Sequence, residues 1–331
     1  MSKMRLSIAM CTFNGARYLS KQLASIATQT RPPDELIVCD DCSEDETVHI
    51  VEQFGRTAAF PVRVQVNRAT LGSTKNFEQA IKLCEGELVA LSDQDDVWQP
   101  EKLRRLENAL SDSLVGLAFT NGELVDDSLK AIGKTVWQTL RFGEKEQDLF
   151  RRERGFEVLL DHNVATGAAM AFSAEFKDLI LPIPDSLSHD GVPVLHDWWS
   201  ALLIAAVSNL SFIDEPLFKY RQHAQQQLGV RPINNPAAQP GMFDSRLASF
   251  QTELSYLSAI LERLAERPDF PAGAGVTDRL QSHIAHLETR ASLPRGRARR
   301  IVPIARELFS RRYHRYSNGL YSAAKDMLVR A

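Results

Sequence analysis

The sequence predicts an α/β fold followed by a helical extension, and two observations carry that prediction. Over the first hundred residues, short apolar segments alternate with amphipathic ones in the order β-α-β-α-β-α-β. That order is the signature of a parallel sheet with helices on both faces. From Phe243 onward, apolar residues recur at spacings of three and four, the helical period. At 331 residues the chain can hold a large domain and an extension, and the expected division is 1–230 and 231–331.

Leu6–Cys11 reads as the first strand, followed by the loop Thr12-Phe13-Asn14-Gly15. A helix then presents Leu19, Leu23 and Ile26 on one face until Arg31-Pro32-Pro33 ends it. Glu35–Asp41 is a second buried strand that finishes in Asp40 and Asp41. Ser43 or Asp45 can cap the next helix, which carries Val48, Val51 and Phe54. Val62, Val64 and Val66 alternate as a third strand ending at Asn67. Leu71-Gly72-Ser73 turns into a helix with Phe77, Ala80, Ile81 and Cys84 in register. Gly86 breaks that helix, and Glu87–Ser92 runs as a fourth strand into Asp93-Gln94-Asp95-Asp96. Pro100 opens a helix with Leu103, Leu106 and Leu110 on one face.

The loops Thr12–Gly15, Asp40–Ser43, Asn67–Ser73 and Asp93–Asp96 all follow strands. In a doubly wound sheet such loops converge on one edge and build one site. Three carboxylates in one loop repel each other, and oxygen ligands at this spacing suit Mg²⁺ or Mn²⁺, commonly shared with a substrate diphosphate. A solvated acidic turn that caps the next helix is the alternative. The first loop lacks G-x-G-x-x-G, which disfavours a dinucleotide-binding dehydrogenase.

Bulk properties exclude several classes. The net charge is −3, so no whole-chain basic field argues for nucleic acid. The N-terminal MSKMRLSIAM holds no long apolar stretch, and the apolar run Ala201–Val207 falls far short of the ~20 residues of a membrane span. A cytoplasmic location is therefore expected. Of the four cysteines, Cys11, Cys39, Cys42 and Cys84, the middle two form a C-x-x-C with no second pair at zinc spacing. They are expected to be reduced bystanders.

In the middle of the chain, Leu114–Thr120 reads as a strand, Asn121–Asp127 as a polar turn, and 128–150 as a loop near the acceptor side. Asn163–Phe172 is expected as a strand whose Thr166-Gly167 either admits a sugar to the backbone or packs tightly in the core. Ser173 can cap a helix over Phe176, Leu179 and Ile180. His196-Asp197-Trp198-Trp199 opens a helix through Ala201, Leu202, Ala205 and Ala206. Asp197 is either a cap there or a base within reach of a hydroxyl. One of the two tryptophans, Trp198, is expected to stack on a sugar face. Leu210–Ile213 and Pro216–His223 follow as strand segments.

Four stretches, SIAMCTFNGARYL, IVCDDCSEDET, NRATLGSTKNFEQAI and LVALSDQDDVWQPEKL, together resemble the N-terminal half of an inverting family 2 glycosyltransferase of the GT-A fold. The resemblance implies a mixed nucleotide-sugar-binding sheet flanked by helices. It implies that Thr12, Phe13, Asn14 and Asp40 hold the base and ribose, with Asn67 and Gln94 on the same edge of the site. Asp93 and Asp95 would bind the metal and the sugar nucleotide, and Asp197 would be the general base. Tyr220-Arg221-Gln222-His223 resembles the Y-R-x-H of rhamnosyltransferase-like members, where His223 would complete the metal shell and Arg221 would meet the diphosphate. Two stretches depart from the family: Cys42 replaces the glycine of D-D-G-S, and Gln225–Gly229 replaces H-G-N-N-x-x-G.

The implied reaction moves a sugar from a nucleoside diphosphate sugar to a hydroxyl of a cell-surface polysaccharide or lipid-linked glycan. SDQDDVW, HDWW, YRQH and RYHRYSNGLYSAAKD resemble rhamnosyltransferases and make dTDP-L-rhamnose the leading donor; UDP-hexoses stay open. A sugar-nucleotide nucleotidyltransferase would want a glycine- and lysine-rich loop after the first strand, which is missing. An inactive scaffold would have no need of Asp93, Asp95 and Asp197.

Arg231–Gly241 reads as a linker. Phe243, Leu247, Phe250, Leu254, Leu257, Leu261 and Leu264 form an a/d seam, and Val276, Leu280, Ile284 and Leu287 mark a second helix. The pair can pack on itself, on the catalytic domain or across a homodimer. Between Arg290 and Arg315, arginines interleave with Ile301, Val302, Ile304, Leu308 and Phe309. Such a basic amphipathic segment suits an anionic membrane surface, here the inner face, or a solvated helix face. No nucleic-acid motif accompanies it.

Overall fold

The structure, a computed structural model, describes residues 4–185, 187–189, 192–223 and 244–328. The expected linker, the 230/231 division, Gln225–Gly229 and Phe243 lie outside them. The chain folds as two compact units, residues 1–185 with 195–235 and residues 186–194 with 236–331.

The strands are β1 (Leu6–Thr12), β2 (Glu35–Asp40), β3 (Val62–Val66), β4 (Leu88–Ser92), β5 (Val97–Trp98), β6 (Val115–Val125), β7 (Ala131–Thr135), β8 (Met170–Ser173), β9 (Ser188–His189), β10 (Val192–Pro193) and β11 (Asn209–Arg221). Among the described residues, nine of them form one mixed sheet in the order β3-β2-β1-β4-β8-β6-β11-β5, with β7 added to β6. β1 to β4 are mutually parallel, as the unbroken apolar runs of β1, β2 and β4 require of strands covered on both faces. β8 enters antiparallel between β4 and β6. The flanking helices Ala16–Ala27, Thr47–Gly55 and Ser73–Leu83 bury Leu19, Leu23 and Ile26, then Val51, then Phe77, Ala80 and Ile81.

Four expectations for this unit need correction. Asn121–Glu123 do not turn but continue β6, because β11 on one side and β7 on the other supply ladder partners. Residues 131–151 are not a loop: β7 and the helices Val136–Leu140 and Glu144–Arg151 lie there. They bury Trp137, Phe142 and Phe150 in edge-on contact with Phe119 and Phe212. The strand expected from Asn163 starts only at Met170, after a short 3-10 turn at Gly167–Ala169. The two segments near 210 and 216 are one strand, β11, whose register shifts on either side of Pro216.

The second unit contains the β9–β10 hairpin and helices Asp244–Glu266, Val276–Ala291, Arg297–Phe309, Arg312–Tyr316 and Gly319–Leu328. The first two helices pack through Tyr256, Leu257, Ile260, Leu264, Leu280 and Leu287. Ile304, Tyr313 and Ala323 form a second small core. A buried polar knot ties the last helices to Val276–Ala291. Arg290 Nε and the Tyr313 hydroxyl both donate to Asp326 at 2.8 Å, and His286 lies 2.6 Å from Glu307 and 3.0 Å from Ser317 Oγ. The basic run is thus split, because Arg290 and Arg300 turn inward. No described helix is long and apolar enough to cross a membrane.

Candidate functional site

The site lies where β1, β2, β3 and β4 end. Thr12 stands opposite Asp40 in the β1–β2 ladder, so the first two loops begin side by side. Thr12 Oγ1 donates to Asp40 Oδ2 at 2.7 Å, while Ser43 donates through Oγ at 2.6 Å and through its amide at 2.8 Å. Asp40 is fully buried. Its carboxylate, expected at the base and ribose, ties the first two loops together.

The neighbouring Asp41, which the sequence reading left without a role, accepts from Asn67 Nδ2 (2.8 Å) and from the amides of Leu71 (2.8 Å) and Gly72 (2.9 Å). It closes the third loop onto the second. Asn67 is buried in that contact and also donates to Asn76, so it too shapes the wall. The signal for Asp41 was the acidic doublet itself. One carboxylate faces each neighbouring loop.

Asn14 takes a positive φ of 46°, accepts from the Glu44 amide at 2.9 Å, and donates its own amide to Ser43 Oγ at 2.8 Å. Gln94 clamps the first loop to the fourth. Its Oε1 accepts from the Phe13 amide and its Nε2 donates to the Phe13 carbonyl, both at 2.9 Å. Gly15 makes this possible, since a Cβ there would fall 2.0 Å from Gln94 Oε1. The Phe13 ring is left 48% exposed at the mouth of the loops. Val66 and Leu71, at the end of β3 and in the loop after it, are also exposed.

The acidic loop follows β4. Asp95 Oδ2 lies 2.8 Å from His223 Nε2, and the His223 ring rests 4.5 Å from that of Tyr18. Burial, then the carboxylates of Asp95 and Asp197, push Asp93 up to about 7. The acidic loop and the separate Asp197 thus both act on Asp93. Asp96 is fully buried beneath, and burial followed by Asp95 and Asp93 raises it well above the usual range.

Beneath the loop sits a cation that the sequence reading missed. Lys102 is fully buried, donates to the Ala168 carbonyl, and lies 3.8 Å from the Trp98 ring centroid. Burial pushes it down to about 7 against the pull of Asp96 and Asp93. The readable signal was its place one turn before Leu106, on the apolar face of its helix.

Arg221, expected at the diphosphate, ends β11. It is 1% exposed, and its guanidinium donates to the carbonyls of Asp95 (2.7 Å) and Asp127 (2.6 Å). Its amide reaches Asp96 Oδ1 at 3.2 Å. It braces the acidic loop from β11. Trp198, expected at a sugar face, is 4% exposed, and its indole N–H donates to the Leu159 carbonyl at 2.7 Å.

Asp197 enters from the first turn of the helix His196–Val207. Its Oδ2 accepts from the Gly167 amide at 3.0 Å and its Oδ1 from the Trp198 amide at 2.7 Å. Each oxygen keeps a further lone pair, so the carboxylate is held in place yet can still accept a proton. His196 stacks on Phe77 at 3.8 Å, and burial lowers it to about 4.

Known proteins share this sequence pattern and fold. Residues 7–178 match the family described as Glycosyl transferase family 2. The chain is 29% identical over 232 residues to the dTDP-rhamnosyl transferase RfbG of Shigella flexneri, covering 67% of this chain and 74% of that one. It is 28% identical over 131 residues to WfgD of Escherichia coli, a UDP-Glc:alpha-D-GlcNAc-diphosphoundecaprenol beta-1,3-glucosyltransferase, covering 40% and 50%. It is 29% identical over 141 residues to the uncharacterized glycosyltransferase alr2836 of Nostoc, covering 43% of this chain and 44% of that one. The matches therefore span half or less of the last two relatives. Among solved structures, Staphylococcus aureus TarS 1–349 in complex with UDP-GlcNAc matches with a TM-score of 0.60 at 18% identity, covering 98% of this chain and 88% of that one. The mannosyltransferase PcManGT of Pyrobaculum calidifontis, with GDP-Man and Mn²⁺, matches at 0.53 and 15% identity, covering 99% and 88%. At such identities the likeness is one of fold, the GT-A glycosyltransferase fold.

Proposed function

The chain belongs to glycosyl transferase family 2, and we propose that it transfers a sugar from a nucleoside diphosphate sugar to an acceptor hydroxyl, inverting the anomeric carbon. One observation supports this reading above the others: Asp95 after β4 lies 2.8 Å from His223 after β11, 128 positions away in the chain. Asp197 is the base. The acceptor oxygen forms its bond to the anomeric carbon while the bond to the diphosphate oxygen breaks, taking its electron pair to the leaving nucleotide. The hydroxyl proton passes to Asp197. General-base assistance of this kind is worth roughly 10²–10⁴ in rate.

The donor set fits a hard divalent cation, Mg²⁺ or Mn²⁺. Asp95 Oδ2 and His223 Nε2 share a hydrogen bond at 2.8 Å, and an ion held by both would take the place of its proton. Among the described residues no three His, Cys, Asp or Glu side chains are grouped closely enough to hold a metal ion by themselves. Mg²⁺-type sites are commonly completed by water and substrate phosphate. Asp95 and His223 would hold the ion, with Asp93 alongside. Bound there, it would neutralise charge on the departing diphosphate. Lys102 and Arg221 keep the acidic loop in place from below and behind. The Thr12–Asn14 loop, fastened by Gln94, seats the nucleotide with the exposed Phe13 ring against its base.

For the donor, dTDP-L-rhamnose is favoured by the RfbG likeness, which covers two thirds of the chain. A UDP-hexose is the second reading, favoured by WfgD and by the UDP-GlcNAc complex of TarS. The acceptor is a hydroxyl of a cell-surface polysaccharide or lipid-linked glycan, a class to which the WfgD acceptor belongs. The test is single-turnover transfer by Asp197→Asn. Turnover should fall roughly 10²–10⁴-fold with donor affinity kept, and a variant that turns over normally would remove Asp197 as base.

A further inference from the structure

The helix Arg297–Phe309 has a mixed buried face and a separate apolar stripe. Arg300, Ile304 and Glu307 are buried and Leu308 is half-buried, which fixes the inward face. At 3.6 residues per turn, Ala298, Ile301, Val302, Ala305 and Phe309 fall within another arc of about 100°. That arc faces outward: Ile301 is 54% exposed, Val302 56% and Phe309 89%. Arg299 and Arg306 border the arc, and both are exposed. Arg297 stands at the helix start, donating to the Leu328 carbonyl at 3.3 Å beside a Leu328 side chain that is itself 62% exposed. No carboxylate among the described residues pairs with the guanidinium groups of Arg295, Arg299, Arg306, Arg311 or Arg315. Residues 290–328 hold ten Arg or Lys against two acids in a chain whose net charge is −3.

We propose that this outward stripe docks the protein onto an anionic lipid surface, the apolar side chains entering the headgroup boundary and the free arginines meeting lipid phosphates. The inference stands apart from the sugar-transfer reading, since no residue of the donor site takes part. Charge complementarity selects the occupant. An apolar stripe alone would suit a second copy of the chain, but pairing two such faces would bring two strongly cationic segments together. The bilayer offers apolar depth and negative charge at once. Arg290, Arg300 and Arg312 take no part, because they are spent on Asp326, on backbone carbonyls and on Glu307.

The experiment is co-sedimentation of the full chain with phosphatidylcholine vesicles and with mixed phosphatidylcholine–phosphatidylglycerol vesicles. Binding is expected only to the mixed vesicles and should weaken as salt is raised. Replacing Arg299 and Arg306 by Gln should lower the partition coefficient about fivefold per residue, since each charge at such a surface is worth ~1 kcal/mol. Ile301→Ser with Phe309→Ser should lower it roughly tenfold or more. All four positions are exposed, so the melting temperature should hold, and donor hydrolysis should be unchanged. Equal binding to both vesicle types, no binding, or wild-type binding by both double variants would overturn the proposal. So would a concentration-dependent dimer, seen by sedimentation, that the serine variants abolish.

Discussion

Cys42 holds a left-handed backbone, φ 65°, where the resembling family carries glycine, with its thiol 3.0 Å from the Asn67 carbonyl. The sequence left the conformation of this loop open. The structure keeps the glycine-like turn and sets the strained residue against a weak hydrogen bond. Strain of this kind costs roughly 1–2 kcal/mol, and glycine would relieve it while loosening the unfolded chain by ~0.4–1 kcal/mol. Cys42→Gly should therefore leave stability unchanged or raise it by up to about 1.5 kcal/mol, whereas Cys42→Val, branched at Cβ, should lose about 2 kcal/mol; urea melts check both. At His196 the expected effect follows pH. The unfolded chain protonates near 6.5 and the buried ring only near 4. Above 6.5 both states are neutral and the burial carries no protonation penalty. As pH falls from 6.5 towards 4, the unfolded state binds the proton and stability drops by on the order of 3 kcal/mol. His196→Asn should flatten that part of the stability–pH curve, and an unchanged slope would contradict the assignment. At this scale the sequence carried the residue types of the site, including Asp95 with His223, 128 positions apart. It did not carry the direction each side chain faces. Asp40, Arg221 and Trp198 carry the expected residue types but spend their polar groups inside the protein, which depends on neighbours brought in by the fold.

Among the elements, β11 has the largest bearing on the site. It brings Arg221 behind the acidic loop and leads directly to His223. The sequence read it as two pieces because Asp214-Glu215-Pro216 looks like a turn; the observed strand absorbs those residues as a local change of register. Local pattern predicted the first four strands and the helices between them, since each is apolar with a clear period and is bounded by Gly, Pro or Asp. It failed over residues 128–150, where Trp137, Phe142 and Phe150 have no helical or strand period of their own. They are fixed by aromatic contacts with Phe119 and Phe212. The fit of β11 to β6 supplies a test. A Cβ on Gly122 would lie 2.6 Å from the Phe218 ring, which is fully buried. Gly122→Ala should destabilise by roughly 1–3 kcal/mol through overpacking, read as a lower urea midpoint at constant m-value; an unshifted midpoint would show that β11 can move away freely.

As a whole molecule, the chain couples a sheet whose loops gather at one edge with a separate helical unit that has its own cores and polar knot. Apolar periodicity foretold an α/β body and a helical end, and the arginine run marked that end as basic. They gave no sign that the β9–β10 hairpin, from the middle of the chain, would join the helical unit. The account of the sheet unit depends on a cation held by Asp95 and His223 against a donor diphosphate. Calorimetric titration of dTDP-L-rhamnose and of UDP-GlcNAc, each with Mn²⁺ and with EDTA, tests it on the wild type, Asp95→Ala and His223→Ala. The expected result is that the wild type binds a donor more tightly with Mn²⁺ than with EDTA, and that both variants lose this difference. Donor binding of the same strength with and without metal, in all three proteins, would contradict the account.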